Sequence, residues 1–76
     1  MAESAPRTYT LIELVGTSPV RYAEATKNAI ARAGETLRGF GWFQVTELRG
    51  LLEEGALSEY HVTLKVGFRV LDHAQA

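Results

Sequence analysis

The sequence has no cysteine. That excludes a disulfide framework, a zinc–thiolate centre and a thiol nucleophile. No run approaches the ~18 apolar residues of a membrane span. The segment Met1–Arg7 is polar, contains Pro6 and lacks the apolar stretch of a signal peptide, so a cytoplasmic location is expected. An excess of one charge is missing too. Eight Lys+Arg stand against nine Asp+Glu, for a net charge of -1. Nucleic-acid and anionic-membrane partners both call for a clustered basic excess, so neither is expected. Tryptophan occurs once, at position 42.

What is there is ordinary globular material, 46% hydrophobic and 22% charged in 76 residues, enough for one domain. Domains of this size bury little apolar surface, and with no disulfide or metal motif to staple them they are often stabilised by oligomerisation.

The pattern predicts four elements between an N-terminal disordered tail, residues 1–8, and a C-terminal tail, residues 73–76, with residues 9–72 as the domain. Strand one, Tyr9–Val15, sets Thr10, Ile12 and Leu14 on one face and Tyr9, Leu11, Glu13 and Val15 on the other. Ser18 is placed to cap a helix and Pro19 to start it. The helix is expected from Pro19 to Arg38, with Tyr22, Thr26, Ala29, Ile30, Ala33 and Leu37 as its apolar stripe. Gly39 is expected to end it, with Phe40 folding back as the apolar contact after the cap.

Strand two is expected from Trp42 to about Leu52, and Glu53-Glu54-Gly55 is the turn. Strand three, about Leu57–Leu71, has the clearest two-residue period. Tyr60, Val62, Leu64, Val66, Phe68 and Val70 alternate with His61, Thr63, Lys65, Gly67, Arg69 and Leu71. The order β-α-β-β gives an α+β fold, a three-stranded antiparallel sheet with one helix on one face. Strand three would reach roughly 50 Å at ~3.3 Å per residue, so it bends or extends to a neighbouring subunit.

The even-numbered apolar set faces the helix. The opposite face is polar, yet it carries Trp42 if Phe43 and Val45 point to the helix. A flat indole beside a row of polar groups suits a planar ligand with a polar rim. Strict alternation from Trp42 puts Arg49 on the other face, so either a bulge intervenes or Arg49 serves a neighbouring pocket.

Several short segments then combine. Glu13-Leu14-Val15-Gly16-Thr17-Ser18 follows the first strand, and Ala29-Ile30-Ala31-Arg32-Ala33 lies in the helix. Trp42-Phe43-Gln44-Val45, Arg49-Gly50, Gly55-Ala56 and Val62-Thr63-Leu64-Lys65-Val66-Gly67-Phe68-Arg69 complete the series. In this order and chain length they resemble the dodecins, small flavin-binding proteins of bacteria and archaea. The resemblance covers Tyr9 to Leu71. It implies a homo-oligomer, a hollow dodecamer in which flavin pairs sit between subunits, sandwiched by two tryptophans. Trp42 is the matching tryptophan.

His61 stands where the family has a glutamine that hydrogen-bonds the flavin's polar edge. A neutral imidazole offers one donor and one acceptor, as an amide does, in a different geometry. Arg49 and Arg69 occupy the positions of arginines that the family uses near the flavin phosphate or for coenzyme A. With Gln44 and Lys65 they complete the candidate cofactor-binding set: Trp42, His61, Arg49, Arg69, Gln44 and Lys65. Arg69 is favoured over Lys65 because a guanidinium grips phosphate with two bonds. The implied cofactor is FMN, with riboflavin or FAD as alternatives.

Each of these residues also has a plainer reading. Trp42 alone would serve interface packing, and His61, Lys65 and Arg69 would be solvated strand residues. Gly16-Thr17-Ser18 lacks the glycines of a phosphate loop. Glu13, Glu47 and Glu53 read as surface charge, and His73 sits in a tail without a motif. No acidic or nucleophilic partner for His61 stands out in the motifs, so no catalytic residue and no enzyme activity are expected. Two rivals to flavin storage, buffering and photoprotection remain. One is a small oligomeric α+β enzyme using His61 as base. The other is a purely structural assembly unit.

Overall fold

A computed structural model describes residues 6–70 of the chain. Strand β1 is Tyr9–Ser18, helix α1 is Tyr22–Gly34, β2 is Phe40–Glu53 and β3 is Ala56–Arg69. The strands form one antiparallel sheet in the order β1-β3-β2. The expected β-α-β-β fold is therefore borne out, with β3 in the centre because its even-numbered residues are the most continuously apolar. The expected tail residues 1–5 and 73–76, together with Leu71 and Asp72, lie outside the described residues. Thr8 accepts a hydrogen bond of 2.9 Å from the Val70 amide, which ties the chain to β3 just ahead of β1.

The core is small. Val62 and Leu64 are fully buried and Val66 nearly so, beneath Ala25 and Ala29 of the helix. Ile12, Leu14, Tyr22, Ile30 and Phe40 pack around them. Burying each large aliphatic side chain contributes about 1.5–3 kcal/mol. The helix approaches β1 closely at Gly16. A Cβ there would run into the Ala25 carbonyl oxygen and stand 2.7 Å from the Ala29 Cβ.

Three expected boundaries shift for physical reasons. The strand continues through Gly16-Thr17-Ser18, because these residues still pair with Val62, His61 and Tyr60. The helix begins at Tyr22, not Pro19. The buried Ser18 hydroxyl accepts from the Val20 amide at 2.9 Å and the Arg21 amide at 3.4 Å, closing a turn ahead of the helix. Arg21 is extended, and its carbonyl accepts the first helical bond, from Ala25. At the other end the helix stops at Gly34. Gly39, at φ +81°, turns the chain into β2 five residues later, and Phe40 opens that strand.

The hairpin between β2 and β3 turns on Glu54 and Gly55, at φ 54° and 81°. Two positive φ values match the twist of a two-residue hairpin. Leu51–Glu53 and Ala56–Glu59 pair only with each other, beyond the end of β1. They form an arm that gives the molecule its 55 Å long axis. The long strand thus stays extended. Most of β2 is exposed on both faces, including Phe43, Val45 and Leu48 on the helix side.

Candidate functional site

Register decides which side chains share the face opposite the helix. Paired residues point the same way, so each row across the sheet can be read directly. At one end Tyr9 pairs with Arg69. Next come Leu11, Gly67 and Trp42, then Glu13, Lys65 and Gln44. Val15, Thr63 and Glu47 follow, then Thr17, His61 and Arg49. All six residues expected at the site therefore lie on one face.

Arg49 reaches that face through a bulge. Val45 pairs with Leu64 and Glu47 with Thr63, leaving Thr46 as the extra residue. The Thr46 hydroxyl donates to the Thr63 carbonyl at 3.3 Å. One added residue reverses the alternation, so Leu48 turns to the helix side with Val62 and Arg49 to the polar side with His61. Strict alternation had put Arg49 on the wrong face.

Trp42 is 41% exposed. Its indole lies over the central strand at Gly67, and the Tyr9 ring tilts against it at 53° with centroids 6.0 Å apart. Lys65 and Gln44 occupy the next row and Arg69 lies two residues along β3 from Gly67. Arg69 also borders an open cleft of about 430 Å³ with Arg7, Tyr9, Arg38, Gly39, Phe40 and Gly41. In the sequence Arg7 falls in the expected tail and Arg38 at the end of the expected helix. The chain brings them together only through the loop into β2, which no local period reveals. The Arg38 guanidinium donates to the Gly34 and Leu37 carbonyls at 3.0 and 3.2 Å.

His61 and Arg49 form a second cluster. Six residues of β3 separate His61 from Gly67, roughly 20 Å at ~3.3 Å per residue. No single planar ligand stacked on Trp42 spans that distance within one chain. His61 Nε2 lies 3.0 Å from Glu59 Oε1, and Arg49 Nη2 donates to Glu47 Oε1 at 2.6 Å. The carboxylate beside His61 was missed because Glu59 precedes the strongly alternating run. It shares the His61 face as its second neighbour on the same strand. Among the described residues, no group of three or more His, Asp or Glu could hold a metal ion, and no helix is long and apolar enough to cross a membrane.

A sequence model of the Dodecin family matches residues 8–71. The dodecin of Thermus thermophilus is 47% identical over 64 residues, spanning 84% of this chain and 93% of that protein. The solved dodecin from Streptomyces davaonensis is similar with a TM-score of 0.83 and 43% identity, over 90% of this chain and 100% of that one. Variants of the T. thermophilus dodecin with one tryptophan changed to phenylalanine, or either of two arginines to alanine, match at TM-scores of 0.81 to 0.82 and 43% identity. They cover 88% of this chain and 98 to 100% of theirs. Those three positions are 7 and 20 residues apart, as are Trp42, Arg49 and Arg69.

Proposed function

The chain belongs to the dodecin family, and on that premise we propose that it is a non-enzymatic flavin-binding protein that stores, buffers and photoprotects FMN. The observation that carries this reading is the half-exposed Trp42 indole on a polar sheet face, with Arg69, Lys65 and Gln44 beside it. These residues fit an isoalloxazine and its ribityl phosphate. The indole offers a stacking surface, the guanidinium a phosphate grip, and the amide and ammonium a polar rim.

Trp42 would hold the ring system and exclude water from it. It is also a good electron donor, so light absorbed by a stacked flavin is lost through charge transfer and recombination. Arg49 on β2 and His61 on β3 lie too far along the sheet to serve the same Trp42. They act on a flavin held by another copy, which makes the pocket a property of the assembly. This supports a homododecamer with flavin pairs between tryptophans of two subunits. The exposed β2 strand and the protruding hairpin arm supply surface for such contacts. The arginines favour FMN over riboflavin and FAD, and they also suit coenzyme A. A cytoplasmic location belongs to the same proposal.

The Glu59–His61 pair gives the general-base reading the carboxylate it lacked. No nucleophile joins it in the row shared with Thr17 and Arg49, apart from the Thr17 hydroxyl. The test is addition of FMN, riboflavin, FAD and lumichrome to ligand-free protein, with sedimentation velocity on each sample. Quenched flavin emission on a dodecamer-sized particle is expected. A monomer, or a large particle indifferent to every flavin, contradicts the reading.

A further inference from the structure

We infer that Gly67 is the positioning residue for the Trp42 indole and thereby sets the geometry of the ligand platform. The ligand half of this inference rests on the flavin reading above. Gly67 lies within the central strand, between Val66 and Phe68. Glycine weakens a strand interior, because it packs nothing and loses the most freedom on folding. Its presence there therefore has a local cause.

The backbone is not that cause. The glycines with positive φ are Gly39 and Gly55, and Gly67 is not among them. Alanine could adopt the same conformation. Space is the cause. A Cβ on Gly67 would meet three atoms of one side chain: Trp42 Cε2 nearest, Cζ2 at 2.5 Å and Nε1 at 2.9 Å. Gly67 is buried although it sits on the open face of the sheet, because the indole covers it.

The other side of the indole is also set by a glycine. Tyr9, tilted against Trp42, lies over Gly41, where a Cβ would stand 2.9 Å from Tyr9 Cε2. Two aromatic rings thus cross the strands at two glycines, an arrangement that pins register and ring position together. A methyl group at position 67 must displace the indole. Lys65 and Gln44, both polar, form the next row on this face.

Three variants test this: Gly67→Ala, Trp42→Phe and the double variant. Trp42 is the sole tryptophan, so its selectively excited emission reports on this ring alone, and near-UV circular dichroism reports on it together with the three tyrosines and three phenylalanines. In ligand-free Gly67→Ala both signals are expected to change while far-UV circular dichroism is retained. FMN affinity is expected to fall by about three- to tenfold, the range of a lost aromatic stack. Phenylalanine has no atom in place of indole Cζ2 and carries a smaller ring, so in the Trp42→Phe background the methyl group should cost less FMN affinity than in the unaltered protein.

Equal losses in both backgrounds, or unchanged indole signals in Gly67→Ala, overturn the inference. If the unaltered protein itself fails to bind FMN, the flavin reading falls, and the ligand-free indole signals still decide the role of Gly67. If Gly67→Ala does not fold, Trp42→Ala/Gly67→Ala, which lacks all three contacting atoms, decides. Its folding supports the steric argument, and its failure shows that the strand requires glycine for another reason.

Discussion

Arg49→Ala is expected to weaken FMN and spare riboflavin. A charge-assisted bond to phosphate contributes about 1.5–3 kcal/mol when well formed. Arg49 is not idle in the free protein, since its Nη2 is 2.6 Å from Glu47 Oε1. Both side chains are more than half exposed, at 57% and 52%. Solvent screens such a pair to about 0.2–1 kcal/mol. A phosphate that draws the guanidinium away gives up that amount. The net contribution is about 1–2 kcal/mol, or a ~5- to 30-fold loss of FMN affinity in Arg49→Ala. Riboflavin has no phosphate and should stay within about twofold.

The same arithmetic gives a change of opposite sign. Glu47→Gln releases Arg49 and should strengthen FMN by up to about fivefold, with no gain for riboflavin. The assay is fluorescence titration of both flavins at low and high salt, because added salt should shrink both effects. Equal losses for FMN and riboflavin in Arg49→Ala would refute the phosphate role. So would weaker FMN binding in Glu47→Gln.

The remaining predictions concern the edge contact and the core. His61→Gln should keep FMN affinity within about threefold, because the amide retains one donor and one acceptor; a loss beyond tenfold in the titration would mean the imidazole acts through Glu59. Leu64→Ala, at a fully buried site, should cost about 2–5 kcal/mol in urea unfolding, and a shift under about 1 kcal/mol would mean this core is not what holds the sheet to the helix. Gly16→Ala forces a methyl group into the Ala25 carbonyl and should destabilise by about 1–3 kcal/mol; unchanged unfolding would show that the helix can lift at no cost.

Much of this architecture was legible in the residues. The two-residue period from Tyr60 to Val70 specified the central strand and its buried face, since one face is apolar without interruption. Glu54-Gly55 announced a tight hairpin through glycine's freedom at positive φ. The bulge at Thr46 was not legible. Threonine suits a regular strand, and only the pairing of Val45 and Glu47 with consecutive partners exposes the extra residue. The helix start was misplaced because Pro19 and Ser18 satisfy the capping rule in sequence, while the Ser18 hydroxyl closes an earlier turn. Ala25 was left out of the apolar stripe, because an alanine signals its burial only once Gly16 is seen beneath it. Among site residues, the shared face of Trp42, Lys65 and Arg69 followed from alternation. Their separation from His61 and Arg49 needed distances along the strand. The arginine cleft needed the full chain path.

The central claim is that Trp42 stacks on flavin. Its most direct test is an FMN titration that follows Trp42 emission and flavin emission in one experiment. Both signals should be quenched along a single binding curve, saturating at one flavin per chain, and Trp42→Ala should abolish the flavin quenching while retaining the fold. Flavin emission that stays constant, or quenching that persists undiminished in Trp42→Ala, would contradict the account.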